Sequence, residues 1–503
     1  MERSSAILMA ISSLPSPYGI GTFGKAAYDF ADFLQKSGQS YWQMLPLGPT
    51  SFGDSPYQSF STYAGNPYYI DLDMLIADGL LTEDEVRNTD WGSDPETVSY
   101  EKIYNGRFRV LALAKERGWE RDREEVDAFC EENARWLKDY TLYMACKRKY
   151  GMRPWSEWPE ELRTRKPDAL ALAAEKLRED MELFTYIQYL FFKQWEALKA
   201  YIHGKGIRII GDLPIYVAMD SSDAWSEQEF FEMDENGVPD VVGGVPPDYF
   251  TADGQLWGNP IYRWDKMKED GYGWWIRRIG AAGKLYDVIR IDHFRGIDEY
   301  WVVPYGAKTA KDGEWRKGPG MELVSVLSGW FPDLEFIAED LGFLTPTVRK
   351  LVSDSGWPGM KVLQFAFDSR EPSNYLPHNY TQNCICYTGT HDNTTTESWF
   401  DEADPEDAAM SVRYLGLNRE EGYTFGFIRG GMSSVANLFV AQMQDYLCQG
   451  IRYRMNTPGT LGGRNWCYRL RGELLTDELA ERIRGMTSMY GRLPEKKKPA
   501  GAD

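Results

Sequence analysis

Ile289-Arg290-Ile291-Asp292-His293-Phe294-Arg295, Phe336-Ile337-Ala338-Glu339-Asp340 and Thr390-His391-Asp392-Asn393 are each a short apolar run, or the end of one, that stops at a carboxylate. Three such events within about a hundred residues are the pattern of a parallel barrel whose strands deliver acids into one cleft at their C-terminal ends. Candidate buried strands recur outside these stretches as well. Residues 41–47, 207–212, 288–292, 335–339, 361–367, 384–388 and 438–442 are near-continuous apolar runs, most of them followed by Gly, Pro, Asp or Asn. Helical patterns at 25–37 and 185–203 precede the first two. Strands alternating with helices, and apolar on both faces, predict a parallel sheet covered on both sides. The number of units favours closure, so the expected fold is α/β, a (β/α)8 TIM barrel.

The spacing is uneven. Residues 76–180 read as charged amphipathic helix and are too long for a barrel loop, while 220–262 is rich in turn pairs such as Asn236-Gly237, Gly243-Gly244 and Asp253-Gly254. The expected organisation is a catalytic barrel over 1–475, with a helical insertion at 76–180 and a loop over the site at 220–262. A C-terminal helix and a disordered Lys496-Lys497-Lys498 tail follow over 476–503, with no separate C-terminal β domain.

The chain has 503 residues and a formal net charge of −20, which argues against a nucleic-acid surface but leaves a neutral substrate unaffected. No run of 18 apolar residues predicts a membrane span, and the N-terminal apolar stretch is too short for a signal peptide. Six cysteines without framework spacing are expected to be reduced thiols in a cytoplasmic protein. The 18 Trp and 31 Tyr are mostly core and anchoring residues, and their faces also suit the C–H faces of pyranose rings.

In the strand 288–292, Arg290 and Asp292 are two apart and leave on one face, so the cation keeps the acid ionised as a nucleophile requires. Glu339 emerges from Phe336-Ile337-Ala338, where desolvation and a neighbouring carboxylate raise its pKa toward that of a proton donor. Two carboxylates in these roles break a glycosidic bond. Asp392 is then left to bind sugar hydroxyls as charge develops on the ring. Of only four histidines, His293 and His391 abut these acids, which points to ligand hydrogen bonding.

Metal-site spacings and a phosphate-cradling G-x-x-x-x-G-K-[ST] loop are absent from the sequence. Gly19-Ile20-Gly21-Thr22-Phe23-Gly24 fits G-x-G-x-x-G, but Pro15-Ser16-Pro17 separates it from a preceding strand and no acid follows for a ribose, so it reads as a loop. The expectation is an enzyme without cofactor or metal.

Several longer motifs carry a resemblance. They are Ser12-Ser13-Leu14-Pro15-Ser16-Pro17-Tyr18-Gly19-Ile20-Gly21, Ser55-Pro56-Tyr57-Gln58-Ser59, Gly211-Asp212-Leu213-Pro214-Ile215-Tyr216-Val217, Gly244-Val245-Pro246-Pro247-Asp248 and Gly254-Gln255-Leu256-Trp257-Gly258-Asn259-Pro260, with the three acid stretches in order. From these the chain resembles the 4-α-glucanotransferases of the amylomaltase (disproportionating enzyme) type, glycoside hydrolase family 77 of the α-amylase clan, from residue 12 to about Arg469. The resemblance implies retaining transfer of an α-1,4-glucan segment to the 4-hydroxyl of an acceptor. Asp292 would be the nucleophile, Glu339 the acid/base and Asp392 the transition-state stabiliser, the first two carboxyls about 5–5.5 Å apart. It implies donor-subsite contacts from Ser55, Tyr57, Asp212, Arg290, His293 and His391, with Gln255 and Trp257 lying over the glucan and Asn465 reaching it from the other side. The expected partners are maltooligosaccharides, starch or glycogen, bound by a monomer or weak homodimer. One departure is Tyr468, where the family is expected to prefer Trp. A hydrolase or a branching enzyme of the same clan would use the same acids, and a glucan-binding scaffold would usually have lost one.

Overall fold

The computed structural model describes residues 1–51, 53–247, 252–342, 344–370 and 373–495. The expected tail at 496–503 and Asp248 of the Gly-Val-Pro-Pro-Asp motif lie outside the described residues. Twelve strands are formed among the described residues: β1 (Ser4–Leu8), β2 (Tyr41–Gln43), β3 (Arg208–Pro214), β4 (Val241–Val245), β5 (Gln255–Pro260), β6 (Val288–Asp292), β7 (Glu299–Pro304), β8 (Glu314–Lys317), β9 (Glu335–Ala338), β10 (Gly359–Val362), β11 (Cys384–Tyr387) and β12 (Leu438–Gln442). Eight of them close a barrel in the order β1-β2-β3-β6-β9-β10-β11-β12, every pair parallel. The (β/α)8 barrel expected from the sequence is the fold observed.

Two cores explain why the strands are apolar on both faces. Ala6, Leu8, Tyr41, Ile210, Val288, Ile337, Met360, Ile385, Tyr387, Leu438 and Val440 pack together as one buried cluster inside the barrel. Their strand neighbours Ile7, Trp42, Ile209, Ile289, Ile291, Phe336 and Phe439 belong to the larger core beneath the helices. Because side chains alternate, the lumen positions that follow Ile210, Val288 and Ile337 are Asp212, Arg290 with Asp292, and Glu339. The interior is therefore hydrocarbon at the bottom and polar at the mouth. Gly211 lies between two lumen residues and faces outward, where a Cβ would stand 2.1 Å from the Tyr286 ring.

Three local expectations are corrected. The first barrel strand, Ser4–Leu8, has no counterpart among the strands expected from the sequence. The strand expected at 361–367 is Gly359–Val362, and the chain turns into a 3-10 turn at Leu363–Phe365 once it leaves the barrel wall. The insertion at 220–262, expected as loop, contributes β4 and β5 to an antiparallel sheet of order β5-β4-β7-β8, completed by the segment after β6. Sheet pairing gives backbone groups the partners that a bare lid would leave to water. The helical insertion packs on the long helix Arg178–Gly204 that leads into β3. All six cysteines are free. No helix among the described residues is long and apolar enough to cross a membrane.

Candidate active site

β6 places Arg290 and Asp292 on the lumen face, and β3 places Asp212 opposite Arg290 in register. One guanidinium nitrogen of Arg290 donates to both Asp212 oxygens at 2.7 Å and to Asp292 Oδ1 at 2.9 Å. The Asp212 side chain is 0% exposed and that of Asp292 is 31% exposed, so one carboxylate is sealed beneath the cation and the other opens to the cleft. Burial raises the Asp292 pKa to about 6, with Arg290 pulling it back down and Asp212 and Asp392 adding to the rise. The cation thus limits the rise without abolishing it.

β6 ends in a left-handed turn at His293 (φ 55°), a conformation uncommon outside glycine. That turn directs the His293 N–H onto Glu339 Oε2 at 2.7 Å, while the Leu341 N–H donates to Oε1 at 2.8 Å. Glu339 itself extends β9, its N–H bonded to the Ile291 carbonyl at 3.1 Å. Burial, followed by the Asp292 charge, raises its pKa to about 7 despite Arg290 and the two N–H donors. The two acids therefore differ in kind, since Asp292 is bonded directly by a cation and Glu339 by the neutral amides of His293 and Leu341. Asp340 points outward instead and accepts the Met360 N–H at 2.6 Å. Burial lowers the His293 pKa to about 3, keeping that ring neutral.

Asp392 stands on the loop after β11, its side chain 44% exposed. The Asn456 amide donates to its Oδ1 at 2.7 Å, and Arg454 donates to its backbone carbonyl at 2.7 Å. The Tyr57 ring stacks on His391 at 4.9 Å and 19°, and the Tyr57 hydroxyl donates to Asp212 at 2.9 Å. Ser55 Oγ accepts the Tyr57 N–H at 3.3 Å and so shapes that turn. On the lid sheet, Trp257 meets the His293 ring edge-on at 4.8 Å and donates to Gln255 Oε1 at 3.2 Å.

A cavity of about 290 Å³ is lined by Ser55, Tyr57, Gln255, Trp257, Asp292, His293, His391, Asp392 and Asn465. Arg290 and Asp212 lie beneath it. Asn465 turns its amide inward: its Oδ1 accepts the Thr457 N–H at 3.0 Å and its Nδ2 donates to Thr460 Oγ1 at 2.9 Å, tying up the 457–460 turn. Tyr468 is accommodated by a bond from its buried hydroxyl to Gln449 at 2.9 Å. Sequence reasoning missed Asn456, Arg454 and Trp466, which all surround the Asp392 loop; the Pro458-Gly459 turn marks a loop there but not what it touches. A larger cavity of about 1340 Å³, between the helical insertion and residues 49–51 and 53–54, adjoins the site at Gly53, Leu461 and Gly462. No group of three or more His, Cys, Asp or Glu is placed to hold a metal among the described residues.

The chain is similar to known proteins over nearly its whole length. A relative from Clostridium butyricum, a 4-alpha-glucanotransferase, is 48% identical over 96% of this chain and 100% of its own length. A 4-alpha-glucanotransferase from Thermus thermophilus is 45% identical over 98% of this chain and 100% of its own. The amylomaltase of Streptococcus agalactiae, solved in complex with acarbose, superposes with a TM-score of 0.96 at 41% identity, covering 98% of this chain and 100% of that one. The profile of glycoside hydrolase family 77, described as 4-alpha-glucanotransferase, matches residues 9–476, and the chain belongs to that family.

Proposed function

We propose that this site carries out 4-α-glucanotransfer by double displacement, with Asp292 as nucleophile, Glu339 as acid/base and Asp392 as stabiliser. The observation that carries the reading is the unlike pair at the barrel mouth: a cation-bonded Asp292 beside an amide-bonded Glu339 whose pKa is about 7. An Asp292 oxygen attacks the anomeric carbon of the donor while the C1–O4 bond breaks, and the Glu339 proton passes to the leaving oxygen. The glycosyl ester then meets an acceptor, whose 4-hydroxyl gives its proton to Glu339 as its oxygen bonds to C1 and Asp292 is released. Two inversions at C1 retain the α configuration. Asp392, Tyr57 and His391 face the donor sugar, Tyr57 being held by its bond to the sealed Asp212, and positive charge on the ring strengthens the bond that the Asp392 carboxylate makes to a sugar hydroxyl.

Transfer requires an acceptor to reach the ester before water does. Gln255 and Trp257 on the lid sheet, and the turn held by Asn465, narrow the cleft to that end. The acarbose bound by the S. agalactiae amylomaltase supports an α-glucan as ligand. Six free thiols suit a reducing compartment, the cytoplasm. Incubation with maltotriose, following glucose and longer oligomers together, tests the reading. Glucose with a ladder of longer products, lost in Asp292→Asn, is the expected result; glucose and maltose with nothing longer would make the protein a hydrolase.

A further inference from the structure

The segment 388–396, which leads from β11 into the helix Thr396–Glu402, carries both His391 and Asp392. Its two ends converge on one carboxylate. Asp445, in the short helix Met443–Tyr446 after β12, is 0% exposed. Its Oδ2 accepts the Thr388 hydroxyl at 2.5 Å and its Oδ1 accepts the Thr396 N–H at 2.7 Å. The second bond also sets a negative charge at the first turn of that helix, where backbone N–H groups have no partner within the helix. Asp445 is absent from the cavity lining, so nothing suggests that it meets substrate. A buried carboxylate is costly to desolvate, and packing alone would be served as well by an apolar residue of similar size. Burial does raise its pKa, to about 6.

At the loop's tip, the Asn456 amide and the Arg454 guanidinium grip Asp392, and the Asn456 N–H donates to the His391 carbonyl at 3.1 Å. The tip is thus anchored to the segment 454–456. The two ends are bridged by Asp445, beside backbone bonds of Thr388 to Val440 (3.1 Å) and Gln364 (3.2 Å) and a bond from the Gln364 amide to the Thr394 carbonyl at 3.0 Å; among these side chains Asp445 is the charged one that meets both Thr388 and Thr396.

We propose that Asp445 is a positioning residue for the transferase reaction, bracketing the loop so that Asp392 is held against the reacting ring. This rests on the role given to Asp392 above. Asp445→Ala is expected to lower kcat by about 10- to 100-fold while KM changes by less than about threefold, the signature of a displaced transition-state contact. Asp445→Asn is expected to restore most of that loss. Its amide oxygen still accepts from Thr396, and the Thr388 hydroxyl turns to accept from its NH2.

The test measures kcat and KM with maltotriose and with α-maltotriosyl fluoride for these variants, for Thr388→Val, for Asp392→Asn and for the double variant Asp392→Asn/Asp445→Ala. If Asp445 acts through Asp392, its replacement adds little in the Asp392→Asn background; fully additive losses would overturn the proposal. So would a lowered Tm in Asp445→Ala with kcat per folded molecule unchanged. Should Asp445→Ala fail to fold, Thr388→Val decides, with a kcat loss of about threefold or more expected and an unchanged kcat overturning it. An Asp392→Asn variant as active as the parent would remove the role of Asp392 itself. An inactive Asp392→Asn beside fully active Asp445→Ala and Thr388→Val would remove only this inference.

Discussion

Arg290 and Asp212 form a sealed ion pair beneath the catalytic cleft, one guanidinium nitrogen lying 2.7 Å from each carboxylate oxygen, their side chains 4% and 0% exposed. The same nitrogen serves Asp292, so the two acids compete for one cation. Removing the Asp212 charge leaves Arg290 to Asp292 alone. Asp212→Asn should therefore move the acidic limb of kcat/KM downward, by about 0.5–1 pH unit. Arg290→Ala should do the opposite and also destabilise the fold by about 3–5 kcal/mol, since it leaves buried carboxylates unpaired. Denaturant titration and pH–rate profiles check both arms. An acidic limb moving upward in Asp212→Asn would contradict the shared-cation picture.

The paired carboxyls also set the overall pH dependence. The proposed double displacement needs Asp292 ionised and Glu339 protonated, and their pKa values are raised to about 6 and about 7. The profile of kcat/KM should be a narrow bell between these values, belonging to the coupled pair rather than to either residue. With a glycosyl fluoride donor, whose leaving group needs no proton, Glu339→Gln should keep its first step and lose the alkaline limb.

Stability follows the same linkage. A carboxyl whose pKa is higher folded than unfolded contributes stability below its unfolded pKa and loses it as pH rises through the folded one. Glu339→Gln should accordingly be more stable than the parent above pH 7, by about 1–3 kcal/mol, and no more stable near pH 4. Thermal melts at the two pH values measure the difference. Equal gains at both would mean that the charge of Glu339 is not the source of strain.

The acids were legible because a barrel strand needs apolar side chains on two faces, so a carboxylate at its end interrupts a strong pattern. Asp292 and Glu339 stand out for that reason, and Arg290 joins them by the two-residue period. β1 was not, since Ser4–Leu8 is too short to register as a periodic run. Nor was the lid sheet: Gly243 and Gly244 in β4 read as turn residues although they pair with Val302 and Trp301 of β7. The grip of Asn456 on Asp392 spans 64 residues, and no local signal encodes it.

The lid sheet makes its own prediction. Trp257 lies edge-on against His293 and lines the cavity that Asp292 opens into, so its removal widens that cavity to water. Trp257→Ala should lower transfer by about tenfold and raise the share of donor lost to hydrolysis, because water then competes for the ester. Reducing-end assays run beside chromatography of the oligomer ladder separate the two. A uniform fall in both products would assign Trp257 to donor binding alone.

Asn456 offers the sharpest local test, because its amide donates to Asp392 Oδ1 at 2.7 Å while its backbone N–H donates to the His391 carbonyl. Asn456→Ala deletes the side-chain bond and keeps the backbone one, so the loop retains its course and loses one constraint on the carboxylate. A hydrogen bond to a charged group is worth about 1.5–3 kcal/mol, which corresponds to about 10- to 100-fold in kcat where the transition state depends on it. Asn456→Asp keeps the size and replaces the donor by a second carboxylate facing Asp392. Like charges at that distance repel, so this variant should be slower than Asn456→Ala although its shape is closer to the parent. The ranking parent, Ala, Asp in kcat, with KM for maltotriose little altered, is the expected outcome. A ranking of parent, Asp, Ala would mean that packing rather than the amide's hydrogen bond holds Asp392 in place.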